Sequence, residues 1–193
     1  MGSYCFQNGW SVILVNETSF QNGLLSTLVK KIQVDAPSNE TTADTAFFHI
    51  GAFKKGNARS VRGSSSYLHW MKGFAYLSSP LVAFFDNTSD MQHFAHIPAQ
   101  LSRHKTELHL IERNQTWAFG LYPNISRLFQ KPEYPKHHPN TMVPAYSCAV
   151  YAKYELTLRV VRSNPFNTKY FCWVDMGYFR HFVDSQKNAI QVE

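Results

Sequence analysis

Two short apolar runs separated by an amphipathic stretch constrain this chain more than anything else in it. Thr45-Ala-Phe-Phe-His-Ile50, closed by Gly51, and Leu81-Val-Ala-Phe-Phe85, closed by Asp86-Asn87, have the length and makeup of strands buried on both faces. Between them Tyr67, Trp70, Met71, Phe74 and Leu77 recur at spacings of three and four. That pattern predicts a helix, capped within Ser64–Ser66 and ended by Pro80. Strand, helix and strand within about forty residues make a parallel pair joined by a crossover.

The alternation continues toward the C-terminus. A helix is predicted near Met91–Leu101, a strand over Glu107–Ile111 and helical structure over Trp117–Phe129. Three prolines in Lys131–Asn140 forbid regular structure there. Tyr146–Arg162 reads as a long helix, with Ala149, Ala152, Leu156, Arg159 and Val160 on one side and Lys153 close to it. Asn164-Pro165 stops that helix, and Tyr170–Val174 is the last strand. The expected fold class is α/β: a three-layer, Rossmann-like, mainly parallel sheet flanked by helices. Residues 1–42 hold one apolar run, Trp10–Val15, and a linker-like Asp35–Thr42, and are read as a lead-in without assigned structure. Residues 43–193 are the α/β domain.

Composition narrows the function. At 44% hydrophobic residues the chain buries a core and is not disordered. The net charge of +6 is scattered, and it suits an anionic small ligand without requiring nucleic acid, which is not expected as a partner. No run reaches the roughly 18 to 20 apolar residues of a membrane helix, and no secretion signal is visible at the N-terminus. Five Asn-x-Ser/Thr sequons, at Asn16, Asn39, Asn87, Asn114 and Asn124, exceed chance and point to a glycoprotein of the Golgi or ER lumen; a cytoplasmic location is the alternative.

Cys5, Cys148 and Cys172 are too few and too far apart for a disulfide framework, and the last two read as buried free thiols. His93, His96, His104, His109 and the pair His137-His138 lack the partners that structural zinc needs. Gly-x-Ser-x-Gly turns and the glycine-rich phosphate loops are absent.

The segment Asn164–Tyr178 carries the functional signal. Trp173-Val174 ends a buried strand, Asp175 is the first group to meet solvent, and Gly177 turns the chain away. Ligands of open α/β sheets bind outside the carboxyl ends of the strands, which makes Asp175 a candidate; ordinary turn chemistry is the competing explanation. Asp86 likewise follows a strand. Two such carboxylates at one sheet edge could hold a hard divalent cation and a diphosphate, or could each cap a turn.

Taken in order, several of these pieces resemble the HtrL/YibB-like proteins, whose fold is similar to that of GT-A nucleotide-sugar glycosyltransferases. The pieces are Thr45–Gly51, Arg62 with Ser66-Tyr67-Leu68, Pro80–Asp86, Lys153, and Asn164–Gly177. The resemblance implies a nucleotide-sugar donor, a divalent cation (Mn²⁺ or Mg²⁺) at Asp175, and transfer of the sugar to a glycan, lipid or protein acceptor. It places Gly51, Arg62, Tyr67, Asp86, Lys153 and Gly177 at the substrate, with Asp86 near the nucleotide or ribose and Arg62 and Lys153 on phosphate oxygens. The catalytic base is unassigned and is expected beyond Glu193, so that the fold is expected to be truncated at its C-terminus. His49 stands where the family pattern wants an acid and Ala52 where it wants Arg. These departures keep a second expectation open, a non-catalytic carbohydrate- or nucleotide-binding remnant of the same family.

Overall fold

A computed structural model of the chain describes residues 4–7, 10–16, 38–56, 61–97 and 106–190. Its centre is a six-stranded sheet in the order β1-β2-β8-β3-β6-β7. The members are β1 (Tyr4–Gln7), β2 (Trp10–Asn16), β3 (Ser38–Phe47), β6 (Leu81–Phe85), β7 (Thr106–Leu110) and β8 (Thr168–Trp173); β4 (Phe53–Lys54) and β5 (Val61–Arg62) form a small separate hairpin. The four strands β8, β3, β6 and β7 are parallel, and β2 joins β8 antiparallel.

The helices are α1 (Ser64–Trp70), which runs on into a 3₁₀ segment Met71–Tyr76, α2 (Thr88–Ala95), α3 (Trp117–Gly120), α4 (Tyr122–Gln130), α5 (Pro144–Ser163) and α6 (Arg180–Ile190). They cover both faces of the sheet, which explains why β6 is apolar and buried along its whole length. On one face Val82, Phe84, Phe171 and Trp173 pack against α3 and α5, where Cys148, Ala152, Leu156 and Val160 recur every four residues. On the other, Ala43, Phe47, Ala83 and Phe85 pack against Met71, Phe74 and Phe94. Each fully buried side chain of this size contributes about 1.5–3 kcal/mol. The three-layer α/β architecture expected from the sequence is the one observed.

Several expectations change in detail. The linker assigned to Asp35–Thr42 is wrong from Ser38 onward, because Ser38–Thr42 is the first half of β3. That stretch is polar, yet it is central: Thr42 is fully buried and shares a 2.6 Å hydrogen bond with the Thr168 hydroxyl of β8. The lead-in also supplies β1 and β2, so it belongs to the sheet. The cap of α1 is Gly63, with no side-chain cap bond, and not one of the serines. Arg159 is half-buried and bonds Glu155 and the Gln115 carbonyl instead of joining the packed stripe. Helix α2 ends at Ala95, with His96 as its C-cap and Ile97 already outside the helix, so the prediction to Leu101 overran it; residues 98–101, like His104, lie outside the described residues. Helix α6 had no counterpart among the predicted elements.

Local signals at the turns behave as their chemistry requires. Asn164 ends α5 in the left-handed region (φ 36°), and its side chain then binds both the N–H and the carbonyl of Thr168, joining helix end to strand start. Asn87 caps α2 by accepting from the Ser89 and Asp90 amides. Cys148 and Cys172 are free, and burial pushes both thiols up, Cys172 to about 11. Neither is a thiolate nucleophile at neutral pH.

Candidate functional site

The carboxyl ends of β3 and β8 open onto a cavity of about 450 Å³, a size typical of small-molecule sites. Its position follows from strand order. The chain leaves β3 for β6 and β7 on one side and returns to β8 on the other, so β3 and β8 flank the point where the topology reverses. Phe47, Ile50 and Gly51 come from the end of β3, and Asp175, Met176 and Gly177 from the end of β8. The hairpin adds Phe53, Lys55 and Arg62; α1 adds Ser64, Tyr67 and Trp70; α5 adds Tyr146 and Lys153; Arg180 opens α6.

One wall is aromatic. Tyr67 stands among Phe47, Phe53 and Trp70, with ring centroids 5.5, 6.4 and 5.2 Å away. The Arg62 guanidinium lies 4.9 Å from the Trp70 ring centroid, a cation–π contact that holds it against this wall. Gly51 leaves β3 at φ 83°, a conformation that an L side chain resists, so glycine is required there. Gly177 has no such need; it packs against Trp70 and Tyr67, where an added Cβ would meet ring atoms at 3.5 and 3.6 Å.

The electrostatics are lopsided. Lys55, Arg62, Lys153 and Arg180 face a single carboxylate, Asp175, giving the described lining a formal excess of three positive charges. Burial pushes the Lys55 ammonium down, the Arg180 and Arg62 charges push it further, and Asp175 partly offsets them. Tyr67 is pushed up to about 12, first by burial and then by Tyr146, and Tyr146 is raised by burial and by the Asp175 charge. Both therefore keep their phenolic protons at neutral pH and can donate hydrogen bonds to an anion. The Trp173 indole N–H donates to Asp175 Oδ1 at 2.9 Å, which orients that carboxylate from within its own strand end.

These donors fit an anionic ligand well and a divalent cation poorly. Mg²⁺ and Mn²⁺ sites draw on several oxygen ligands, whereas the lining offers one carboxylate, already half engaged, among four cations. Among the described residues no three His, Cys, Asp or Glu side chains are grouped so as to hold a metal ion.

Six of the residues expected at the site, Gly51, Arg62, Tyr67, Lys153, Asp175 and Gly177, line this one cavity. Asp86 does not. Strand β3 separates β6 from β8, and Asp86 is occupied with its own neighbours: the His49 amide donates to its Oδ1 at 2.8 Å and Arg113 Nε to its Oδ2 at 2.6 Å. Arg113 also donates to the His49 carbonyl at 2.6 Å, so the trio clamps the end of β3 to that of β6. Replacing Arg113 by Met is expected to lower stability by about 1 kcal/mol, measured by urea denaturation.

Sequence reasoning missed Lys55, Tyr146 and Arg180. Lys55 is one of four basic residues between positions 54 and 62, and nothing local distinguishes it from Lys54 beside it. Arg180 follows Asp175-Met-Gly177 closely enough that the turn returns it to the same cavity.

A family model described as "Bacterial protein of unknown function (HtrL_YibB)" matches residues 39–190. No curated protein and no solved structure matches the chain significantly.

Proposed function

Because the chain belongs to the HtrL_YibB family, whose description assigns no activity, we propose its function from the cavity: it binds a nucleotide-sugar donor and transfers the sugar to an acceptor hydroxyl. The observation that carries this is the cationic, aromatic-walled crevice at the carboxyl ends of β3 and β8. A diphosphate suits the four cations, through bidentate forks from Arg62 and Arg180 and point charges from Lys55 and Lys153. Flat rings, of base or sugar, suit the wall around Tyr67.

Transfer breaks the bond between the anomeric carbon and the diphosphate oxygen, and the electron pair stays on that oxygen. The acceptor oxygen bonds the anomeric carbon and gives up its proton. Negative charge therefore grows on the leaving diphosphate, where fixed cations in a partly buried site stabilise the transition state more than the ground state. The acceptor class, glycan, lipid or protein, and the base that takes its proton stay unassigned.

The second reading, a non-catalytic carbohydrate- or nucleotide-binding remnant, drew on His49, on Ala52 and on the expected C-terminal truncation. The His49 ring bonds Asp90 at 2.9 Å. The enzyme reading rests on the cavity's own donors, which include neither His49 nor Ala52. The five sequons suit a protein of a secretory lumen, and Asn114 and Asn124 are exposed. No helix among the described residues is long and apolar enough to cross a membrane.

The test is to titrate the chain with uridine and guanosine diphosphate sugars and to follow release of the nucleoside diphosphate in the presence of mixed acceptors. Binding and release are both expected, with Arg62→Ala and Lys153→Ala each lowering release about tenfold. Binding without release in every acceptor mixture would favour the non-catalytic reading, and absence of binding would remove both.

A further inference from the structure

We propose that this pocket neutralises the ligand's diphosphate with its own side chains, Lys55 and Arg180 joining Arg62 and Lys153, and that Asp175 accepts a ligand hydroxyl and not a divalent cation. The inference rests on the reading of the cavity as a diphosphate site. It departs from the metal centre that the resemblance to GT-A enzymes implies.

The geometry favours side-chain cations. Three separate pieces of chain, the β4–β5 hairpin, α5 and the start of α6, deliver positive charge to one cavity. Lys55 feels both Arg180 and Arg62 as like charges, so these groups stand close enough to oppose one another. Such a cluster is relieved when a polyanion enters it and is aggravated when a divalent cation does.

Asp175 fits a different task. Its Oδ1 already accepts from the Trp173 indole, and the cations around it compete with a metal for the remaining oxygen. A carboxylate held this way is well placed to accept a ribose or sugar hydroxyl, which carries no charge and whose burial is offset by the hydrogen bond it donates. The cations neutralise the phosphates and the carboxylate reads the hydroxyl.

Calorimetric titration of the full chain with inorganic pyrophosphate and with uridine diphosphate, in EDTA and in excess Mn²⁺, tests this. Pyrophosphate is expected to bind in EDTA at least as tightly as in Mn²⁺, since the metal competes with the protein for the anion. Lys55→Gln and Arg180→Gln should each weaken it about tenfold. Asp175→Asn removes the one carboxylate of the described lining and should tighten pyrophosphate severalfold. Binding that requires Mn²⁺ and is lost in Asp175→Asn would overturn the inference while leaving the diphosphate site standing. If neither anion binds under either condition, the pocket assignment falls as well.

Discussion

Asp44→Asn is expected to abolish a loss of stability of about 4 kcal/mol that the protein undergoes as pH rises from about 4 to about 7. Asp44 lies within β3, fully buried between the sheet and α5. Thr157 Oγ1 donates to its Oδ2 at 2.6 Å, while its Oδ1 has no hydrogen-bond partner among the described residues. Burial raises this carboxyl from 3.8 to about 7, and the Thr157 bond only partly opposes the rise.

The direction of the pH effect follows from which state holds the proton. Below the unfolded value both states are protonated, and the acid contributes nothing that depends on pH. Between that value and about 7 the folded protein keeps a proton that the unfolded chain has released, so every increase in pH favours unfolding. Above about 7 the full penalty applies: roughly three tenfold steps in proton affinity at about 1.4 kcal/mol each. Asn is neutral throughout and can still accept from Thr157. Urea denaturation at pH 4 and pH 8 should show near-equal stability of the two proteins at the lower pH and a more stable variant at the higher one. An unchanged difference across that range would mean that Asp44 is not the titrating group.

Gly73→Ala is the second large effect, and it reaches the pocket through packing. An added Cβ at Gly73 would stand 2.2 Å from Phe179 Cβ, 2.9 Å from Phe179 Cγ and 3.2 Å from Val183 Cγ2. The nearest of these is fixed to backbone, so no rotamer change relieves it. Alanine gains up to about 1 kcal/mol over glycine in helical backbone, but overpacking of this severity costs about 3 kcal/mol. The net loss is about 2 kcal/mol, and thermal denaturation should show it as a Tm lowered by several degrees. Phe179 and Val183 flank Arg180, so displacing them also moves a pocket cation. Nucleoside diphosphate affinity should fall with stability in Gly73→Ala. If Tm falls while affinity holds, α6 does not position the site.

Parallel strands buried on both faces announce themselves as short apolar runs, and so β6, the end of β3 and the end of β8 could be read directly. The earlier part of β3 could not, because Thr42 and Asp44 are buried polar residues whose partners, Thr168 and Thr157, lie more than a hundred positions away. The site was legible for a related reason. A parallel sheet puts all its carboxyl ends on one edge, so residues just after strands converge without knowledge of their order. Order decides which of them meet, and it is not written in local pattern. That is why Asp175 and Gly51 reach one cavity while Asp86, one strand further over, joins a clamp with Arg113. Lys55 follows a two-residue strand and Arg180 opens a helix, places too short to have a period of their own.

The insertion of β8 between β2 and β3 also governs how the molecule is made. Thr42 pairs with Phe171 and Ala43 with Cys172, so β3 waits for well over a hundred residues of synthesis before its second neighbour exists. Throughout that interval one edge of the central strand is an open row of amides and carbonyls, able to pair with another nascent chain. The polar face of early β3, with Glu40 exposed among threonines and a buried acid, makes that edge a poor template for foreign strands until the correct one arrives. The ligand cavity, whose far wall follows β8, is therefore among the last parts of the protein to come into being.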